Sequence, residues 1–258
     1  MAFDTNVRNI YRELERAPSL APSPRINELF AALVREVTSC LDERSPLTAV
    51  ETARLQDLCN MGECELERYW AERIVSATNP EDELAQFPYL ENYRDLTKLE
   101  WSSFRGCTQH TEHRVLFCGG GPLPLTAIML AREWNVPSTV LDIDEHAVVQ
   151  ATALVACLGL TTLIRIVQAD AAQFPAHSAY SVIFVAALAG LVPQEKEHIF
   201  SAIKTRANPD THIIARSSWG NRKLLYRPLS KTIEQQFQPV LRVDPHNDIV
   251  NSVVILKT

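Results

Sequence analysis

The chain has 258 residues, of which 46% are hydrophobic and 22% are charged, enough apolar material for one large or two small globular domains. Its net charge is -6 and no basic stripe stands out, which argues against nucleic acid as a partner. No run approaches the roughly 20 apolar residues of a membrane-spanning helix, so we expect no membrane partner either.

The cysteines and the N-terminal sequence both indicate a cytoplasmic protein. The six cysteines are scattered and none forms a C-x-x-C pair, which is typical of reduced thiols rather than of a zinc site or a disulfide framework. The opening sequence MAFDTNVRNIYRELER carries charges throughout and lacks the apolar centre of a secretory signal. His246 is a lone histidine, and we assign no metal site.

Residues 1–106 predict an all-helical N-terminal domain. Ser23 and Pro24 form a good helix start, because a serine can cap a helix and proline is tolerated in its first turn. Apolar residues then recur at helical spacing, and breaks fall at Ser45-Pro46 and Asn79-Pro80. The predicted helices cover residues 7–14, 24–37, 48–59, 64–77 and 84–104.

The segment 115–144 predicts the nucleotide-binding half of a doubly wound sheet. It reads as a strand, a glycine turn that opens a helix, and a second strand that ends at an acid. The backbone of Gly119, Gly120, Gly121 and Pro122 is expected to approach the ligand. Asp142, which lies 21 positions after Gly121, is the predicted ribose ligand.

Strands and helices continue to alternate after this segment. Further strands are predicted at 164–167, 180–187, 212–215 and 251–256. The expected fold of residues 107–258 is therefore α/β, a Rossmann-like parallel sheet of the type found in methyltransferases that use S-adenosylmethionine (SAM).

Two further acids follow strands of the predicted sheet. Asp170 follows the third strand, where such folds place an acid or amide near the adenine. Asp144 is the alternative ribose ligand, or else a helix N-cap.

Two departures from common patterns concern the bound nucleoside. Pro124 stands where the dinucleotide fingerprint has its third glycine, and this favours SAM over a dinucleotide. Phe117 stands where a typical methyltransferase motif has an acid. The methionine end of SAM therefore need not take the usual methyl-donating pose.

Several segments together resemble the nicotianamine synthase family, including its archaeal and bacterial relatives. No single one of them is specific, but their shared order is. The matching segments are GGGPLPLT at the glycine turn, LAPSPRINELF, FPYLENYRDLTKLE, TVLDID, VIFVAALAGL, RSSWGNRKLLYRP and DIVNSVVILK.

The resemblance implies transfer of the 3-amino-3-carboxypropyl (aminobutanoyl) group of SAM to an amine, with release of methylthioadenosine. In one reading, typical of bacterial relatives, the acceptor is histidine and a separate opine dehydrogenase completes a metallophore. In the other, typical of plants, three SAM molecules condense to nicotianamine. The compact length favours the first reading slightly, and a homodimer is possible. An ordinary SAM methyltransferase and a non-catalytic SAM-binding protein are the remaining alternatives.

The resemblance also implies a general base. An amine is protonated near neutral pH and becomes a nucleophile only when a base takes its proton. In the segment CELERYWAERI the matching residue is Glu67, and Tyr93 matches a tyrosine beside the base and the substrate. Glu63, Glu65 and Glu72 are neighbours to which the same role could belong.

Other residues are expected around the substrate by the same resemblance. Tyr89 and Glu100 are candidates for the cavity that holds the base, although Tyr89 could be a core aromatic and Glu100 the structural partner of a buried arginine. Ala187 and Leu188 are expected to line the aminobutanoyl pocket. Arg216 could hold a carboxylate by a bidentate pair, or form a plain salt bridge.

Overall fold

The N-terminal helices begin where the sequence supplies caps. In the computed structural model, which describes residues 2–40 and 45–258, α1 (Ala2–Arg16) and α2 (Pro24–Ser39) bury apolar stripes against each other. The side chain of Ser23 accepts a hydrogen bond from the backbone of Ile26, and Pro24 occupies the first turn. The predicted start of the second helix is thus confirmed.

The third helix is longer than its sequence pattern predicts. Residues 48–59 and 64–77 were expected to form two helices, but α3 runs without interruption from Ala49 to Ser76. A side-chain carbon at Gly62 would overlap the ring of Phe30. The glycine therefore serves close packing of α2 on α3 and is not a break.

The aromatic segment that follows α3 forms two helices where one was expected. Asn79 caps the short α4 (Pro80–Leu84), and α5 spans Leu90–Gly106 after a break at Pro88. Within the ranges 2–40 and 45–258, no helix combines the length and the apolar composition that crossing a membrane requires.

The C-terminal region confirms the predicted Rossmann-like α/β fold. The helices α6 to α9 and the strands are, in chain order, β1 (Val115–Cys118), α6 (Leu125–Trp134), β2 (Ser138–Asp142), α7 (Glu145–Cys157), β3 (Ile164–Gln168), β4 (Val182–Val185), α8 (Pro193–Arg206), β5 (His212–Ser217), α9 (Lys231–Glu234), β6 (Gln238–Val243) and β7 (Ser252–Lys257). The seven strands lie in the order β3-β2-β1-β4-β5-β7-β6, and β1 to β5 are parallel.

The last two strands depart from the expected parallel arrangement. β7 runs antiparallel between β5 and β6, and β6 was not predicted. β6 is an edge strand with exposed side chains and a proline, Pro239, so it lacks the buried apolar run that identified the other strands.

The helical region and the sheet share their apolar cores. Trp70 of α3 and Trp101 of α5 belong to the cluster that surrounds the sheet, whereas Leu225 and Val250 join the cluster of α1 and α2. The predicted division at residues 106 and 107 falls between α5 and β1 and stays a prediction. This packing brings the middle of α3 to the carboxyl end of β1, where the glycine turn lies.

Candidate active site

The glycine turn after β1 packs too closely against its neighbours for side chains. Gly119 and Gly121 have φ values of 83° and 62°, which favour glycine. A Cβ atom at Gly120 would overlap Val140, and one at Gly121 would lie 2.6 Å from Oε2 of Glu67. The turn therefore touches the carboxyl group that the sequence predicts to be the base. Pro122, which follows the turn, is buried.

Asp142 holds this turn at the end of β2. Its Oδ2 accepts a hydrogen bond of 2.7 Å from the backbone of Gly121, and its Oδ1 accepts one of 3.0 Å from the backbone of Asp144. Each oxygen keeps a second lone pair for a ligand hydroxyl. Asp144 accepts a hydrogen bond from the backbone of His146 and so caps α7, as the N-cap alternative predicted. Its carboxyl group also pairs with Arg68 at 3.3 Å.

Asp170 and Ala187 lie in the loops after β3 and β4, at the same edge of the sheet. The Oδ1 atom of Asp170 accepts a hydrogen bond of 2.8 Å from the backbone of Ala172. The carbonyl of Ala187 accepts one of 2.6 Å from Nζ of Lys196. These positions agree with a ligand that crosses the carboxyl ends of β1 to β4, although direct contacts stay predictions.

Two carboxyl groups and two tyrosines meet beside the glycine turn. Glu63 and Glu67 are one helical turn apart on α3, and the hydroxyl of Tyr93 lies 3.1 Å from Oε1 of each. The hydroxyl of Tyr226 donates to Oε2 of Glu63 at 2.7 Å. The structure thus brings Glu67 and Tyr93 together, as predicted. Sequence reasoning assigned no role to Tyr226, and it named Glu63 only as a neighbour to which the role of base could belong.

Burial controls the ionisation of this cluster, which we call the carboxyl–tyrosine cluster. Burial raises the pKa of Glu67 well above its usual value, the charge of Glu63 raises it further, and the hydrogen bond from Tyr93 opposes both. Burial also raises the pKa of Glu63, although hydrogen bonds from Tyr226 and Tyr93 lower it. A carboxyl group with a raised pKa suits a general base that works near neutral pH.

Two cavities adjoin the carboxyl–tyrosine cluster. The first, which we call the side cavity, has a volume of about 380 Å³ and is lined by Glu63, Glu67 and Tyr89, among others. Asn251 also lines it, and its buried side-chain nitrogen has no partner among the described residues. The second cavity, of about 270 Å³, lies beyond Tyr226 and is lined by the backbone loop that follows β4.

The loop after β4 and a buried lysine form one wall of the second cavity. Ala187 and Leu188 line it, together with Lys196. Burial, together with the charge of Arg227, lowers the pKa of Lys196 to about 8. Sequence reasoning missed this lysine, because a lysine on a helix is usually solvated. No group of His, Cys, Asp and Glu residues suited to a metal occurs in the described part of the chain.

Glu100 and Arg216 form a buried ion pair beneath the cluster. Their side chains make two hydrogen bonds of 2.8 and 3.0 Å, and Arg216 also donates to Thr126 at 2.6 Å. The guanidinium lies 5.9 Å from the ring centre of Tyr93 and 5.7 Å from that of Phe117. The structure thus shows Glu100 as the partner of a buried arginine and Arg216 in a salt bridge, which were the structural alternatives for these two residues. A direct contact of either residue with substrate stays a prediction.

Comparison with known proteins shows the family to which the chain belongs. The family model described as "Nicotianamine synthase protein" matches residues 3–258. Nicotianamine synthase 2 of Arabidopsis thaliana is 30% identical over 97% of this chain and 82% of its own, and nicotianamine synthase 9 of Hordeum vulgare is 34% identical over 93% and 74%. The crystal structure of a MtNAS mutant in complex with S-adenosylmethionine has a TM-score of 0.87 at 23% identity, covering 100% of this chain and 98% of the other. The chain belongs to the nicotianamine synthase family.

Proposed function

We propose that this protein transfers the aminobutanoyl group of SAM to a small-molecule amine and releases methylthioadenosine. The observation that carries the proposal is the position of the Glu67 carboxyl group, which borders the glycine turn and also lines the side cavity. A base therefore stands between the expected nucleoside site and a cavity that can hold an amine. Family membership supports the proposal, as do the MtNAS structures solved with S-adenosylmethionine and with MTA and tNA.

The reaction needs one bond to form and one to break. The amine nitrogen attacks the aminobutanoyl carbon that is bonded to sulfur, and the bonding electron pair leaves with the sulfur as a neutral thioether. Which sulfonium carbon reacts depends on which one points at the nucleophile. Glu67 takes the proton of the amine, and Tyr93, which contacts Oε1 of Glu67, orients the carboxyl group.

The nucleoside would lie along the carboxyl ends of the parallel strands. Gly119, Gly120 and Gly121 would contact it through their backbone, Asp142 would accept hydrogen bonds from the ribose, and Asp170 would face the adenine. Ala187, Leu188 and Pro122 would surround the methionine end. The turn geometry and the positions of the two acids support this placement.

Asp142→Asn is expected to weaken SAM binding. The change removes the charge and one of the two acceptor oxygens, while the shape of the side chain is kept. Loss of hydrogen bonds to a charged group corresponds to on the order of 1.5–3 kcal/mol, roughly a 10- to 150-fold higher Kd. Isothermal titration calorimetry with SAM measures it. Asp144→Asn is the control, and a larger loss in that variant would move the ribose contact to Asp144.

Histidine is the acceptor that we propose to test first. The side cavity, at about 380 Å³, has the volume of a site for one small molecule. The product would then pass to an opine dehydrogenase, in metallophore biosynthesis. We further propose a cytoplasmic location, which the free cysteines at all six positions support. A homodimer stays a possibility to be measured.

Product analysis tests this function directly. The protein is incubated with SAM, with and without histidine, and the products are identified by mass spectrometry. We expect methylthioadenosine together with an aminobutanoyl adduct of histidine. Nicotianamine formed from SAM alone would instead assign the three-SAM reaction. S-Adenosylhomocysteine would identify a methyltransferase, and SAM binding without turnover over a panel of amines would identify a non-catalytic protein.

A further inference from the structure

The carboxyl–tyrosine cluster contains more hydrogen-bond contacts than its hydroxyl protons can supply. The single hydroxyl proton of Tyr93 faces Oε1 of Glu63 and Oε1 of Glu67, each at 3.1 Å, and it can be donated to only one of them at a time. Tyr226 uses its own proton on the other oxygen of Glu63. If both carboxyl groups were ionised, one of the two Tyr93 contacts would place the phenol oxygen against a carboxylate oxygen with no hydrogen atom between them.

The surroundings of the cluster disfavour two adjacent negative charges. Asp142 adds a third carboxylate, whereas the nearby cation, Arg216, is already bound by Glu100. Arg68 lies on the exposed side of α3 and pairs with acids there. The remaining titratable groups around the cluster are the acid Glu28 and the cation Arg35 of α2, the thiols Cys59 and Cys64 of α3, and the phenol Tyr89 before α5.

The cation among these groups, Arg35, is exposed and pairs with Glu28 at 2.7 Å, so it is directed away from the buried carboxyl groups. Burial raises the pKa of Cys64 to about 11 and raises that of Cys59 further, so both thiols are neutral near neutral pH. Burial also raises the pKa of Tyr89, although the charge of Arg35 lowers it. Arg216 lowers the pKa of both glutamates but is shared with Glu100, so a proton or a cationic ligand is needed to balance the second negative charge.

We propose that Glu63 and Glu67 share one extra proton through Tyr93 before SAM binds, and that a cationic ligand displaces this proton to solvent and leaves Glu67 ionised as the base. The proposal rests on the proposed function of the same site. It makes Glu63 a positioning residue, because it acts on the substrate through Tyr93 and Glu67.

The geometry indicates where the extra proton resides. Glu63 keeps the hydrogen bond from Tyr226 whichever carboxyl group Tyr93 donates to, so the ionised form is better stabilised on Glu63 and the proton lies mainly on Glu67. Burial raises the pKa of both groups, and the charge of Glu63 raises that of Glu67 further. The other oxygen of Glu67 borders Gly121, where the sulfonium of SAM would arrive.

A calorimetric proton count tests the proposal without any variant. SAM binding, with no amine acceptor present, is measured at neutral pH in buffers of different ionisation enthalpy. We expect release of up to about one proton per site. Methylthioadenosine, which has the same nucleoside and no charge, should release none. Sinefungin, which carries an ammonium group in place of the sulfonium and cannot transfer the aminobutanoyl group, should behave as SAM does. Equal binding enthalpies for SAM in all buffers would overturn the proposal.

Glu63→Gln identifies the partner that shares the proton. The glutamine amide can donate to Tyr93, so Tyr93 can donate to an ionised Glu67, and SAM-linked proton release should be lost. Removing the neighbouring charge lowers the pKa of Glu67, so the acidic limb of the kcat/KM profile should move to lower pH. The control Glu65→Gln, whose side chain pairs with Arg68 on the exposed side of α3, should keep both properties of the wild type.

The outcomes separate this proposal from the proposed function. Unchanged affinity for methylthioadenosine shows that the Glu63→Gln variant is folded. Proton release that persists in such a folded variant would contradict sharing with Glu63. S-Adenosylhomocysteine as the product would overturn the proposed function alone, because the proton count is measured on binding without turnover.

Discussion

Glu67→Gln is expected to lose roughly 10²- to 10⁴-fold in turnover at saturating SAM, while its affinity for uncharged methylthioadenosine is retained. Glutamine keeps the shape of the side chain and can still contact Tyr93, but it cannot accept a proton from the amine. Glu67 is chosen over Glu63 because its carboxyl group borders Gly121, whereas Glu63 faces Tyr226. Turnover is measured as methylthioadenosine release, and affinity for methylthioadenosine by calorimetry.

The pH dependence gives this variant a second signature. Burial raises the pKa of Glu67 in the free protein, so wild-type kcat/KM should increase as the pH rises through that value and the carboxyl group becomes ionised. The defect of Glu67→Gln should shrink at high pH, where more of the acceptor amine is already deprotonated. The control is again Glu65→Gln, whose turnover should be close to that of the wild type. Wild-type turnover in Glu67→Gln, or an inactive Glu65→Gln variant, would show that the base is another residue.

Glu100→Gln is expected to lower the free energy of unfolding by about 3–5 kcal/mol. Glu100 is fully buried and Arg216 is 8% exposed, so the variant leaves a guanidinium without its counter-charge in the core. Because Arg216 also lies under the rings of Tyr93 and Phe117, we expect turnover to fall as well. Urea denaturation at neutral pH measures the change in stability.

Two variants control for the origin of that loss. In Glu91→Gln, a surface acid that pairs with Arg94 is neutralised, and the free energy of unfolding should be almost unchanged. The double variant Glu100→Gln/Arg216→Met removes both charges and should recover part of the stability lost in Glu100→Gln. A double variant no more stable than Glu100→Gln would show that the loss comes from packing and not from the unpaired charge.

Features that depend on neighbouring residues along the chain could be predicted from the amino-acid sequence. The strand, the glycine turn and Asp142 could be predicted because local spacing places them at one edge of a parallel sheet. The helix start at Ser23 was likewise predicted from consecutive residues. The family membership was predicted from the order of several segments along the chain. Glu67 and Tyr93 could be predicted together only through the resemblance, since a glutamate on a helix is usually solvated.

Contacts between distant parts of the chain could not be predicted from the sequence and became apparent in the folded structure. Tyr226 and Glu63 are 163 residues apart, and Glu100 and Arg216 are 116 apart, so no periodicity could pair them. The close packing of Gly62 against Phe30 and the pairing of β6 with β7 likewise depend on residues that are distant in the sequence. Burial also raises the pKa of both glutamates. The same glutamates on a solvated helix would ionise independently, whereas packed beside two tyrosines they compete for one hydroxyl proton.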